Sequence, residues 1–178
     1  MKKERLIKMI LAAVFLSLGI ILPTWLGSMK EINDTILPIH LAAMFCGIIC
    51  GKWYGLLVGF LIPVMRSLIF AMPVLYPRGL YMAFEAATYG FVIGFMYYLL
   101  KKKPAWYIYI CVITAQIAGR IIWALSKNIL LGFGKNGVTF SAFITEGFID
   151  ALPGIALQLI LIPLVVSIAR DVRARRIS

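Results

Sequence analysis

Charge is scarce in this chain, and the scarcity is uneven. Only 14% of the 178 residues are charged, against 62% hydrophobic. That balance lies outside the ordinary globular range and inside the membrane class. The chain has one histidine and seven acidic residues. No paired acidic motif of phosphotransfer type is present. No G-x-x-x-x-G-K-[ST] phosphate loop occurs either, so the chain carries no ATP-driven engine of its own. Its three cysteines, Cys46, Cys50 and Cys111, all fall inside apolar runs. They read as buried free thiols ahead of a metal site. Low-complexity segments, soluble linkers and strong internal repeats are missing too. What is left is one compact integral membrane domain over residues 1–178.

The formal charge of +11 raises nucleic acid as a partner, but its placement argues against one. Lys and Arg sit in short clusters flanking apolar runs, as topology signals and anionic-lipid contacts do. No aromatic–basic nucleic-acid module appears among them.

Apolar runs are what the chain has in abundance. Six spans follow, at about 7–26, 35–50, 53–70, 80–100, 105–131 and 143–169. The first follows a basic start, KKERLIK, and resembles a signal peptide. Its length, with no clean small-x-small cleavage site after it, favours a retained helix. The second is short for a span of roughly 20 residues. Only Gly51 and Lys52 separate it from the third, which predicts a tight helical hairpin. Pro63 punctuates the third span, and Pro153 and Pro163 the sixth. AMPVLYPRG reads as an ordered loop and GFGKNG as a turn. The expected fold class is an all-α integral membrane bundle of six transmembrane helices.

Orientation follows from Lys and Arg. Lys2, Lys3, Arg5, Lys8, Lys52, Lys101, Lys102, Lys103, Arg170, Arg173, Arg175 and Arg176 fall on one side, and Lys30, Arg78 and Lys135 on the other. Both termini are therefore expected in the cytoplasm.

A charge at membrane depth costs about 2.5 kcal/mol or more, so ionisable residues inside spans are candidates for function. With the orientation above and a rise of about 1.5 Å per residue, His40, Arg66, Glu85, Arg120, Lys127, Glu146 and Asp150 all come to the outer half. The inner half is almost purely apolar. Helical spacing groups them further. Tyr81, Glu85 and Tyr89 share one face of the fourth span. Gln116, Arg120, Trp123 and Lys127 share one face of the fifth. Glu146, Asp150 and Pro153 open the sixth.

Two readings stand side by side. In one, these helices surround an outer cavity that sets Arg66, Arg120 and Lys127 against Glu85, Glu146 and Asp150. In the other, the charges pair and brace the bundle. Buried pairs are weak stabilisers because desolvation offsets their attraction, which favours the cavity. Tyr76, Tyr81, Tyr89 and Trp123 suit a planar ring, and Asn128 joins the candidates beside Lys127. Lys127 also suits snorkelling to the interface. Trp25, Trp53 and Trp106 fit ordinary interfacial anchors. In the first span, Ala12, Ala13 and Ser17 form a small-residue patch where another helix can approach closely, with Leu16 beside them on the same candidate interface.

The segment PIHLAAMFCGIICGKWYGLLVGFLIPVMRSLIFAMP, followed by MAFEAATYGFVIG, together with the AAVFLS patch, resembles the substrate-binding (S) component of energy-coupling factor (ECF) vitamin transporters. The resemblance covers most of the chain. It implies a bacterial multi-pass membrane subunit, not an enzyme, that binds a vitamin or precursor on the extracellular side. It implies partners too: a transmembrane coupling subunit and two cytoplasmic ATPases, which use the ATP. No cofactor or metal is implied for this chain. Ala12, Ala13 and Ser17 would match the family's A-x-x-x-A contact, but the Ala13 register has Ser17 and the Ala12 register has Leu16. The Val74–Pro77 stretch would be a lid.

Both signs of charge with several aromatics suit a small planar heterocycle, such as a pyridoxine-type, thiazole or benzimidazole compound. Pantothenate, met by Arg66 and Arg120, is the anionic option. Other classes are a small membrane enzyme using His40 and Glu85 as acid and base, or Glu146 and Asp150 on a metal, and an autonomous channel or carrier. One-sided charge placement disfavours the last.

Overall fold

A computed structural model describes residues 2–26, 38–100, 106–132, 139–149 and 151–175. Every regular element among them is helical. The principal helices are α1 (Lys2–Leu26), α2 (Pro38–Cys50), α3 (Lys52–Phe70), α4 (Leu80–Leu100), α5 (Tyr107–Leu131) and α6 (Leu152–Arg175). Five are long and apolar enough to cross a membrane, and α2 has only 13 residues. Thr35–Leu37, Lys101–Lys103, Ala105 and most of the GFGKNG stretch lie outside the described residues.

Local chemistry sets the boundaries. Pro38 opens α2, where a missing N–H costs nothing. Gly51 closes it at φ 108, a conformation open to glycine and rarely to other residues. Gly51 N–H donates to the Gly47 carbonyl at 3.1 Å, and Gly55 N–H to the Gly51 carbonyl at 3.0 Å. The expected hairpin is therefore made by one residue. After α3, a wide turn over Leu75–Gly79 is closed by Gly79 N–H on the Val74 carbonyl at 2.9 Å. The bundle thus has two ends, one at Lys52 and one at Tyr76.

The last span departs from expectation. Instead of one helix over 143–169, there is a short helix, Phe140–Ile144, then a wide turn, Thr145–Ile149, and α6 only from Leu152. Pro153 is the reason. It sits in the first turn of α6, where helices accept proline, and the first-turn bond runs from Ile155 N–H to the Ala151 carbonyl at 2.9 Å. The first helix departs the other way, beginning at Lys2 rather than near Ile7.

α4 is the axis of the bundle. It is apolar all round, as a helix buried on several sides must be. One buried cluster joins it to α2, α5 and α6 through Met44, Tyr89, Ile93, Val112 and Ile162. A second joins it to α1, α2 and α3 through Ala12, Cys46, Ile62 and Ala86. Glycines let the backbones touch. A Cβ added at Gly55 would fall 2.6 Å from Gly47 Cα and 2.8 Å from the Gly90 carbonyl carbon. One at Gly59 would fall 2.8 Å from Ala87 N, and one at Gly94 would fall 2.9 Å from Lys52 N. Such contacts are the usual means of helix association in lipid, where burial alone supplies little drive. The pairs Gly55/Gly59 and Gly90/Gly94 are readable as G-x-x-x-G once a close partner is sought. α5 shows the opposite surface: Ile113, Ile117, Ile121, Leu125 and Ile129 form an exposed stripe, the face a membrane helix turns to lipid.

Candidate functional site

The buried face of α5 is a ladder of polar and aromatic side chains, each meeting a different neighbour. From the middle of the helix towards the Tyr76 end, Gln116 donates from Nε2 to Oε1 of Gln158 on α6. One turn on, Arg120 Nη1 donates to Glu85 Oε1 on α4 at 2.9 Å. Trp123 meets Tyr81 edge-on, with ring centroids 6.4 Å apart. Lys127 Nζ donates to Glu146 Oε2 at 2.6 Å and lies 4.8 Å above the Trp123 ring. At the top, the Tyr76 hydroxyl donates to the Leu130 carbonyl at 2.7 Å. That bond ties the Leu75–Gly79 turn to the end of α5.

The tightest grouping surrounds Glu85. Tyr89, one turn along α4, donates its hydroxyl to Glu85 Oε1 at 2.9 Å. His40 of α2 brings Nε2 to 3.8 Å from Glu85 Oε2, beyond hydrogen-bond reach. Its ring stands perpendicular to that of Tyr89 at 4.9 Å. All four side chains are buried: His40 3%, Glu85 2%, Tyr89 1% and Arg120 6% exposed. Both His40 ring nitrogens and Arg120 Nε have no hydrogen-bond partner. Buried donors left this way are rare and costly. Gly119 seats the group: a Cβ there would collide with the Tyr89 ring, 2.7 Å from Cδ1 and from Cζ.

Arg66 takes a different set of partners, and its Nε, like that of Arg120, has no hydrogen-bond partner. It does not join the carboxylates but turns to α1. Its Nη1 donates to the Ile20 carbonyl at 2.6 Å and to Thr24 Oγ1 at 2.8 Å, and its guanidinium lies 5.7 Å from the Phe70 ring centroid. The α1–α3 packing decides this, because Gly19 comes so close to Ile62 that a Cβ would clash. Thr24→Val removes one acceptor from a buried cation. It is expected to lower stability by about 1–3 kcal/mol, whereas Thr24→Val with Arg66→Met removes both partners and stays near neutral. Thermal unfolding in detergent checks this, and a Thr24→Val variant melting with the wild type would show that the bond holds nothing.

The remaining candidates divide by place. Tyr81 and Asn128 are half-buried, Tyr76 and Glu146 are exposed and Trp123 is buried. Asp150 lies outside the described residues. Among the described residues, the two carboxylates of this ladder pair with different cations. Glu85 takes Arg120, and Glu146 takes Lys127. Among the described residues, no three His, Cys, Asp or Glu side chains are grouped to hold a metal. Cys46, Cys50 and Cys111 are buried and are not joined in disulfides.

The α1 patch splits as well. Ala12 is 7% exposed and packs into the α1–α4 cluster, so it has no surface left for a partner. Leu16 is half-buried at the margin of that packing, while Ala13 and Ser17 are exposed. The Ser17 hydroxyl donates to the Ala13 carbonyl at 2.9 Å, which leaves that face small and without a free donor.

A model of one protein family matches residues 7–166, and its description is the substrate-specific component of ECF transporters. The chain belongs to that family. No curated protein and no solved structure matches it. As an S component it is a multi-pass membrane protein and a transporter subunit. Its task within an ECF transporter is substrate binding. The polar ladder of this S component then has a function class to serve. Sequence reasoning passed over two of its members. Gln158 carried a signal, as a lone amide in the run LPGIALQLILIPL, where polar residues are expensive. Gly119 carried none, because its value lies in the ring it seats.

Proposed function

We propose that this S component captures a small water-soluble vitamin or vitamin precursor at the extracellular face. The favoured substrate is a planar heterocycle of the pyridoxine, thiazole or benzimidazole kind. It is then delivered to the cytoplasm with a transmembrane coupling subunit driven by two ATPases. The binding groups are His40, Glu85, Tyr89 and Arg120, with Tyr76, Tyr81, Trp123, Asn128, Lys127 and Glu146 towards the mouth. Arg66 acts as a brace beside them.

One observation carries this reading. Within an apolar bundle, His40 and Arg120 keep three buried polar nitrogens without a hydrogen-bond partner beside a carboxylate, and Arg66 Nε is left the same way next to α1. Pure bracing would be better served by apolar packing or by a fully satisfied network. A binding site uses such atoms when the substrate arrives. The Tyr76 bond to Leu130 fits a lid made by the Leu75–Gly79 turn. Ala13 and Ser17 supply the open small-residue face on which the coupling subunit can dock.

The test uses the purified full chain without ATP, titrated with pyridoxine, hydroxyethylthiazole, dimethylbenzimidazole and pantothenate. Binding of one ring compound is expected in calorimetry, with the bound mass retained in native mass spectrometry. Uptake into liposomes by this chain alone would overturn the coupled reading.

A further inference from the structure

We infer that Gln116 and Gln158 form the floor of the substrate site and read a neutral hydrogen-bonding edge at the substrate's deepest end. The inference rests on the capture reading above and adds which chemistry the substrate must present.

Gln116 stands one helical turn below Arg120 on the same face of α5, towards the Lys52 end. Gln158 meets it from α6. They are 5% and 1% exposed. Further down the same two helices, the buried side chains are Val112, Cys111 and Ile108 on α5 and Ile162 and Val166 on α6. Among the described residues the two amides are therefore the last buried polar side chains on that path, directly beneath the level where His40 and Arg120 keep nitrogens without a hydrogen-bond partner.

Chemistry then restricts what can rest there. A neutral amide pair above an apolar core offers no counter-charge, and an ionised group placed against it would go uncompensated. Any charge on the substrate must stay at the level of Glu85 and Arg120 or above. The amide–amide bond uses one N–H and one lone pair, and the two atoms it does not touch are the Gln116 carbonyl oxygen and the Gln158 amide nitrogen. Turning both amides over returns the same arrangement with the roles exchanged. In either setting the floor presents one acceptor beside one donor. Its complement is a neutral ring that offers an N–H to the acceptor or a ring nitrogen or carbonyl to the donor, and dimethylbenzimidazole can do either through one of its two ring nitrogens; the carboxylate of pantothenate does not match.

A purely bracing pair makes a different prediction, and the double variant Gln116→Leu/Gln158→Leu separates the two. Replacing both partners of a buried bond with apolar groups of similar shape is close to neutral for folding. The full-length variant is titrated with the same four compounds and melted beside the wild type, with Glu85→Gln as the control for the upper site. Expected is an unchanged melting temperature with at least tenfold weaker binding of the ring compound the wild type prefers. Binding equal to wild type overturns the floor assignment, whether or not the melting temperature falls, while capture itself stands. A wild type that binds none of the four compounds overturns capture and floor together. Should the double variant fail to fold, the volume-conserving Gln158→Met is put through the same comparison, with the same tenfold loss expected and wild-type binding again overturning the floor.

Discussion

A Glu85→Ala variant is expected to be the least stable single substitution at the site and to lose ligand capture completely. Glu85 is the counter-ion of Arg120 at 2.9 Å and the acceptor for Tyr89, and all three side chains are buried. Removing one partner of a buried pair leaves an uncompensated charge and costs about 3–5 kcal/mol. For a chain of this size that lowers the melting temperature by roughly 10 °C. A second substitution shows where the loss comes from. Glu85→Met with Arg120→Met removes both charges, so part of the lost stability is expected to return, the Tyr89 hydroxyl still lacking its acceptor. Binding is expected to stay lost, because the groups that recognise the substrate are gone. Thermal unfolding in detergent and ligand titration on the same preparations read the two effects separately. Full ligand affinity in the double methionine variant would sink the assignment of this pair to the site.

The second large effect is expected on the face of α4 turned towards α3. Gly90 on α4 lies against the Gly55 backbone of α3, and a Cβ there would fall 2.5 Å from the Gly55 carbonyl carbon. Backbone cannot swing aside as a side-chain tip can, so Gly90→Ala must push α3 away from α4 over several turns. Overpacking a well-filled core typically costs about 1–3 kcal/mol, and the upper end or beyond is expected here. The readout is a fall in melting temperature and in the monodisperse fraction on size exclusion. Melting within a degree of wild type would mean the two helices do not meet at this glycine. The effect should also reach the site indirectly, because α4 carries Glu85 and Tyr89 on its other faces.

Part of this organisation was legible in the chain. Polar residues inside apolar runs stood out at once, and their spacing placed Tyr81, Glu85 and Tyr89 on α4 and Gln116, Arg120, Trp123 and Lys127 on α5. Periodicity supplies that much because an α-helix fixes the angle between its own residues. It says nothing about how one helix is rotated against the next. Arg66 illustrates the gap: by depth it belonged with the carboxylates, yet it turns to Ile20 and Thr24 of α1. Ala12 and Ala13 illustrate it again, as neighbours that face opposite ways, one into the core and one out of it.

The sequence by itself determined the setting: a membrane bundle whose charges had to turn inward. Lipid offers no partner to a charge or a free N–H, and that constraint acts on every span whatever its neighbours. The tertiary structure alone decided which partner each group took. The distances between helices are set where Gly55, Gly59, Gly90 and Gly94 remove a side chain, and where Gly119 admits the Tyr89 ring. The Gly119 approach brings α5 onto α4 and sets Arg120 on Glu85, while the packing of the last segment against α5 gives Glu146 to Lys127 and Gln158 to Gln116. The selection depends on volumes meeting across three or four helices at once, and such volumes are not written in the period of any one of them.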